Sequence, residues 1–271
     1  MAKNVAIAGV TGAVGQEFLA ILDQRDFPID SLRMLASSRS AGKKITYRNK
    51  EYSVQEMKDN SFEGIDIALF SAGGSRSKQF APAAVKAGAV VVDNSSAFRM
   101  DPETPLVIPE INPEAIEQNK GIIANPNCST IIAIVPVWPL HKANPVKRMI
   151  VSTYQAASGA GQAAMLELMS QSKQVLEGQP VTCSALKYQL GFNLYNHDSA
   201  LDDLGYNEEE QKLVRETHKI FSCPDIAITG TCVRVPVLRA HCESINLEFT
   251  DPITPEQVRE LLSMAPGVTV M

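Results

Sequence analysis

The sequence predicts an α/β protein: a Rossmann-like doubly wound parallel sheet, followed by an α+β domain whose sheet is mixed or antiparallel. Three observations carry that prediction. Short apolar runs alternate with helix-like stretches through the first half of the chain, the pattern of strands covered on both faces. A glycine-rich turn joins the first run to the first helix-like stretch, as dinucleotide-binding folds require. In the second half the strand-like runs lengthen and fewer helices separate them, so that sheet need not be parallel.

The elements follow in order. Residues 4–8, 32–36, 65–70, 89–92 and 121–124 are apolar or β-branched runs bounded by Gly, Ser, Asp or Asn and read as strands. Residues 12–25 and 75–87 carry helical spacing, with Phe18, Leu19 and Leu22 on one stripe. Residues 45–54 read as an inserted hairpin turning at Asn49-Lys50. In the second half, 149–157, 225–235 and 242–249 read as strands and 161–176 as a helix. A last helix spans 254–264, with Thr254 as N-cap and Pro255 at its first position.

The chain has 271 residues, and at roughly 100–200 residues per domain two domains are expected. We place them at 1–130 and 131–271. With 45% hydrophobic and 20% charged residues the chain is globular in composition. Thirty acids against twenty-five Lys and Arg give a net charge of -5, which argues against nucleic acid or an anionic membrane as partner. No apolar run approaches the ~18 residues of a membrane span. The apolar stretch after Met1–Asn4 is too short for a signal peptide. Five cysteines, at 128, 183, 223, 232 and 242, form no Cys-x-x-Cys pair. Neither a disulfide framework nor a structural metal is expected, and a reducing cytoplasm fits.

Gly9-Val10-Thr11-Gly12-Ala13-Val14-Gly15 closes the first strand and opens the first helix. Its glycines permit close backbone approach, and the helix N-terminus offers N–H groups to a pyrophosphate. An acid at the end of the second strand selects NAD; here that place reads Ser37-Ser38-Arg39-Ser40. Hydroxyls and a guanidinium favour a 2′-phosphate, so the pattern points to NADP. Ser71-Ala72-Gly73 and Asp93-Asn94 end two further strands, where a cofactor passes in such sheets. Arg99, just beyond, is a candidate anion clamp, although a single surface Arg is more often solvated.

Asn125-Pro126-Asn127-Cys128-Ser129-Thr130 is the sharpest motif. An apolar stretch of helical length follows at Ile131, which puts Cys128 in the first helical turn, where a thiolate is favoured. From position alone, a nucleophile and a small buried hydrophobe stand at even odds; the other four cysteines read as structural. Gln155 ends the long strand in reach of a polar group, and Ser158-Gly159 follows in a turn of small residues fit to approach a cofactor ring. Asn207-Glu208-Glu209-Glu210 reads first as a capping box. Glu209 and Lys212, three apart, still share a helix face. Arg234 and His241 would face opposite ways on one regular strand, but Pro236 suggests a break that realigns them. His141, His197 and His218 have no partner pattern and read as structural or solvated.

These pieces, in this order across nearly the whole chain, resemble the aspartate-β-semialdehyde dehydrogenase family. The resemblance rests on Gly9–Gly15, Ser37–Ser40, Asp93–Arg99, Asn125–Thr130, Gln155–Gly161 and the Arg234–His241 pair. It implies an N-terminal NADP-binding domain and a catalytic domain that also forms a homodimer. It implies reduction of aspartyl phosphate to aspartate semialdehyde, with Cys128 as acyl-thioester nucleophile and His241 as general acid/base. Gln155 would orient the substrate, Arg234 and Glu209 would hold its carboxylate and amine, and Arg99, Lys212 and Asn127 would bind phosphate. Family chains run on past this length with a strand pair and a helix. The apolar stub Val268-Thr-Val-Met271 therefore reads as an interrupted chain. Two rivals remain: an N-acetyl-glutamyl-phosphate reductase, whose usual Gly-Cys pair is replaced here by Asn127-Cys128, and an inactive binding protein.

Overall fold

Val5, Ala6, Ile7 and Ala8 are all buried, so β1 (Lys3–Ala8) is wedged between two layers of side chains, as its unbroken apolarity requires. The computed structural model describes residues 1–271 and divides into two units. One comprises Met1–Val107 with Glu114–Pro126, the other Ile108–Pro113 with Asn127–Met271.

In the first unit β1 is followed by α1 (Ala13–Gln24) and β2 (Ile29–Ala36). A hairpin of β3 (Lys44–Tyr47) and β4 (Lys50–Ser53) comes next, then the two-residue β5 (Gln55–Glu56). β6 (Ile67–Phe70), α2 (Gly74–Lys86), β7 (Val90–Asp93) and β8 (Ile122–Ala124) complete it. The sheet runs β5-β2-β1-β6-β7-β8 and every pairing is parallel. Strand order reverses beside β1, with β2 on one side and β6 on the other, which makes the carboxyl ends of β1 and β6 the expected ligand crevice. Phe62 and Phe70 stack at 5.5 Å between centroids in the core behind it.

The hairpin turns one residue earlier than the expected Asn49-Lys50. Arg48 and Asn49 both have positive φ, 46° and 60°, as a two-residue hairpin turn demands of its central pair. Asn tolerates that conformation; Arg48 is held in it by Asp23 at 2.9 Å and by the carbonyl of Leu22 at 3.1 Å. β2 starts at Ile29 rather than residue 32, and β6 at Ile67 rather than 65. β5 was too short to carry any periodicity.

The second unit opens with α3 (Cys128–Ala143), then β9 (Val146–Gln155), α4 (Gln162–Leu176) and the short β10 (Tyr195–Asn196). α5 (Glu208–Phe221), β11 (Ala227–Arg234), β12 (Cys242–Phe249) and α6 (Pro255–Ser263) follow. The sheet runs β10-β11-β9-β12. β9 pairs parallel with β11 and antiparallel with β12, so the sheet is mixed. β9 ends at Gln155, two residues before the expected 157, because Ala157–Ala160 coil into a 3₁₀ turn. α6 has the expected Thr254 cap, whose side chain accepts from the Gln257 amide. No helix is long and apolar enough to cross a membrane.

Met149, Val151, Thr153 and Gln155 are buried on one face of β9, the face that α3 and α5 cover. A Cβ on Gly230 of β11 would meet the Leu213 side chain at 2.9 Å, so glycine there lets α5 close on the sheet. Across this face Cys232, Thr153 and Glu243 align in register on three adjacent strands. Burial pushes the Cys232 thiol up to about 12, eased by the neighbouring Thr153 hydroxyl, although that hydroxyl makes no well-formed hydrogen bond.

Both carboxylate oxygens of Glu243 are buried without a partner, and burial pushes its pKa up to about 8. An acid that stays protonated in the folded state while the unfolded chain ionises loses stability as pH rises. The loss begins near the ordinary value of 4.5 and is complete near 8. Glu243→Gln should therefore match the parent near pH 4.5 and melt at a higher temperature at pH 8. Equal melting temperatures at both pH values would show that Glu243 is solvated.

Candidate active site

Each unit brings its own part of the chemistry. In the first, Gly9 has φ of 92° and a Cβ there would sit 2.3 Å from the carbonyl oxygen of Ser71. A Cβ on Gly15 would lie 2.3 Å from the Gly9 carbonyl oxygen and 2.6 Å from Cα of Val10. Gly12 is the N-cap of α1 and supplies no side-chain cap, so the first-turn amides around Ala13 and Val14 are left for a ligand. Thr11 lies in the same turn. The cradle thus fits the pyrophosphate of a dinucleotide. Ala72 and Gly73 lead into α2, with Gly73 at φ of 88°.

At the end of β2, Ser37 caps a 3₁₀ turn of Ser38–Ser40. Arg39 is exposed there and engages no protein acid. Asp93 ends β7 and is buried, accepting from the hydroxyls of Ser77 and Ser95 at 2.7 Å each. That anchors the loop carrying Asn94 and Arg99. Arg99 is itself buried, not solvated. Its guanidinium donates to the carbonyls of Asn94 and Asn125 at 2.9 Å each, while the Asn125 amide donates to Asn94 Oδ1 at 2.8 Å. Two strand ends are thereby tied to one side chain.

In the second unit, α3 begins at Cys128 itself, three residues before the apolar stretch. Asn127 is the reason: its Oδ1 accepts from the amides of Ser129 and Thr130 at 2.9 and 3.4 Å, a side-chain N-cap. Cys128 is the first helical residue and is exposed, between buried Asn127 and Ser129. Helix amides and dipole at that position favour a thiolate.

Asn127 is held in turn by α5. Its Nδ2 donates to Glu209 Oε1 at 2.9 Å and its backbone N–H to Glu216 Oε2 at 2.6 Å. Gln155 Nε2 donates to Ser129 Oγ at 2.6 Å and to the same Glu209 oxygen at 3.2 Å. Lys212 Nζ sits 3.4 Å from Glu209 Oε2 and 3.2 Å from Glu208 Oε1. Burial alone would push the Glu209 carboxyl up, but Lys212, Asn127 and Gln155 together with His197 hold it below its ordinary value. The capping box also exists: Asn207 and Glu210 exchange side-chain and backbone bonds. Both readings of the acidic run hold: Glu210 caps the helix and also accepts the Cys232 N–H of β11 at 3.0 Å, while Glu209 reaches Asn127 and Gln155.

β11 ends at Arg234 and β12 starts at Cys242, so Pro236 lies in a loop and the pair is not constrained by one strand. Arg234 Nη1 donates to the Ala156 carbonyl at 3.0 Å, and His241 Nδ1 accepts from the Ala156 N–H at 2.9 Å. Both converge on Gly159, where a Cβ would come within 3.2 Å of the imidazole and 3.4 Å of the guanidinium. Ser158 is in the same turn, its amide on the Leu238 carbonyl. Burial lowers the His241 pKa and Arg234 lowers it further, against a raising contribution from Glu209. The ring is neutral at neutral pH, and its bond to Ala156 assigns the hydrogen to Nε2.

Three participants were not singled out as site residues, although Ser129 lies inside the Asn125–Thr130 motif. Ser129 and Glu216 act through contacts of 26 and 89 residues' separation. His197, read as structural or solvated, is half-buried with its pKa lowered by burial, and it feels Glu209 and Arg234. His141 and His218 are structural: one accepts from the Val146 amide, the other meets the Ile226 carbonyl.

The first unit, with its glycine cradle at the end of β1, has the form of a dinucleotide-binding domain, and the second unit carries an exposed thiol at a helix N-terminus and a partly buried imidazole. The comparisons place the chain more closely. Residues 4–119 match the semialdehyde dehydrogenase NAD-binding domain and 137–271 the semialdehyde dehydrogenase dimerisation domain. Aspartate-semialdehyde dehydrogenase of Synechocystis sp. is 53% identical over 99% of this chain and 79% of its own length. That of Aquifex aeolicus is 50% identical over 100% and 81%. The crystal structure of aspartate semialdehyde dehydrogenase II from Vibrio cholerae superposes with a TM-score of 0.96 at 46% identity, covering 98% of this chain and 80% of that one. The chain belongs to the aspartate-semialdehyde dehydrogenase family, and it spans about four-fifths of the length of these relatives.

Proposed function

We propose that the chain is an NADP-dependent aspartate-semialdehyde dehydrogenase acting through a Cys128 thioester, and that it works as a homodimer in the biosynthesis of lysine, threonine, methionine and isoleucine. The observation that carries the reading is an exposed Cys128 at the first position of α3, capped by Asn127, in the same unit as the Gln155–Glu209 pair bound to that helix start and the Arg234–His241 pair on Ala156. The Vibrio cholerae relative has been crystallised with ASA, and a Candida albicans relative, 26% identical with a TM-score of 0.71, with NADP. The match to a dimerisation domain supports an oligomer.

In the reductive direction the Cys128 thiolate attacks the acyl carbon of β-aspartyl phosphate and phosphate leaves, giving a thioester. When bound, the reduced nicotinamide supplies the hydride that takes the acyl group to the aldehyde level. The tetrahedral thiohemiacetal then expels Cys128, which must be a good leaving group as well as a nucleophile; a serine alkoxide is not. His241, with its hydrogen on Nε2, donates a hydrogen bond that stabilises the tetrahedral oxyanion, and it keeps its proton when that species collapses. Taking a second proton requires Nδ1 to release the Ala156 amide. Arg234 holds the α-carboxylate with its planar fork. Glu209 holds the ammonium, and Lys212 and Asn127 take phosphate. Gln155, already anchored on Ser129, orients the acyl group.

For the cofactor, Arg39 without an acid of its own beside Ser37 and Ser40 supports a 2′-phosphate, since a site built for that group leaves a cation unpaired when it is missing. Turnover should be more efficient with NADP than with NAD, and Arg39→Ala should narrow the difference. Equal efficiency in the parent, or an unchanged preference in the variant, would exclude this.

Cys128→Ser should abolish turnover and the covalent acyl adduct together in single-turnover mass spectrometry. His241→Asn should leave Cys128 alkylatable and slow turnover by about two to four orders of magnitude. An adduct on another cysteine, or a His241 variant at parental rate, would overturn the mechanism. Arg234→Lys retains charge without the fork and should still raise KM strongly; parental kinetics would remove Arg234 from the site.

A further inference from the structure

We infer that Glu216 is a positioning residue for Cys128, a buried carboxylate that acts through the Asn127 backbone to set both the placement and the ionisation of the thiol. Glu216 lies on α5 two turns beyond Glu209 and is 1% exposed. Its Oε2 accepts the Asn127 N–H at 2.6 Å, the short length of a charge-assisted bond. That amide belongs to the residue immediately before Cys128. The first turn of α3 contains no acid of its own, so the negative charge facing this helix N-terminus comes from α5: from Glu216, and from Glu209, whose charge Lys212 offsets at 3.4 Å.

The two influences on the thiol therefore oppose each other. The amides and dipole of α3 favour a thiolate, and a carboxylate one residue away disfavours it. A neutral amide at position 216 would accept the same hydrogen bond without the cost of burying a charge. A carboxylate there does what the amide does not: it keeps the thiol from being ionised too far, and a thiolate of very low pKa is a weaker nucleophile. The effect on turnover rests on Cys128 being the nucleophile; the effect on ionisation does not.

The two parts separate by substitution. Glu216→Gln keeps an acceptor for the Asn127 amide and removes the charge. Iodoacetamide labelling of the 271-residue chain across pH, read by mass spectrometry on the Cys128 peptide, should show a midpoint lower by about half to one unit. Glu216→Asp keeps the charge but draws it back by one methylene. Its midpoint should stay at the parental value, while kcat for aspartate semialdehyde, phosphate and NADP falls by about tenfold with KM little changed. A parental labelling midpoint in folded Glu216→Gln would overturn the inference. Should that variant not fold, a lowered midpoint or parental kcat in Glu216→Asp would overturn it equally. A parental labelling profile in a chain without turnover would instead bear on the proposed reaction alone.

Discussion

Asn127 uses every polar atom it has. Its side-chain oxygen caps α3, its side-chain amide reaches Glu209, its backbone N–H reaches Glu216, and its carbonyl accepts the Ile131 amide. The start of α3 is thus set by its own Asn127 cap and held in place by α5, and Cys128 inherits its position from both contacts. Buried carboxylates are costly unless fully paired, and here the pairing partners are the helix start, Gln155 and Lys212. Disturbing any of them exposes an unpaired charge, so the arrangement behaves as a unit.

In the proposed function, substrate recognition and thiol placement share atoms. Glu209 Oε1 accepts from both Asn127 and Gln155, and the proposed ammonium ligand is therefore also a strut of the thiol's helix. The second cluster, on Gly159 and Ala156, is joined to the first through the chain itself, since Gln155 precedes Ala156. The absence of side chains at Gly159 brings Arg234 and His241 within van der Waals reach of the backbone. In the first unit the same device, backbone contact permitted by glycine, shapes the nucleotide cradle at Gly9 and Gly15.

Features encoded within a few residues were legible in the sequence. The glycine turn announces itself because each glycine answers a local steric demand, and the Thr254 and Asn207 caps because capping chemistry spans three residues. The acidic run showed the limit of that logic. Glu209 and Glu210 are adjacent and both turn inward, and only the packing of α5 tells that Glu210 joins its cap to Cys232 while Glu209 reaches Asn127 and Gln155. Glu216 carried no signal, because its partner is 89 residues away. The hairpin turn was misplaced by one residue because Arg48 adopts a conformation its type disfavours, held by Asp23 across the fold. Arg99 read as a candidate anion clamp with a solvated surface cation as its alternative; its burial depends on two carbonyls that only the folded strand ends bring together.

Asn127 and the α5 carboxylates form one coupled unit at the start of α3. A double-mutant cycle on thermal or denaturant unfolding tests it directly, using Asn127→Ala, Glu209→Gln and the double variant. Coupled groups in one buried network show interaction energies of about 0.5–3 kcal/mol, whereas independent sites add within about 0.3–0.5 kcal/mol. Coupling should exceed about 1 kcal/mol, with the double variant less destabilised than the sum of the singles. Strict additivity would mean that the cap and the carboxylate act separately, and that α5 does not hold the nucleophile's helix.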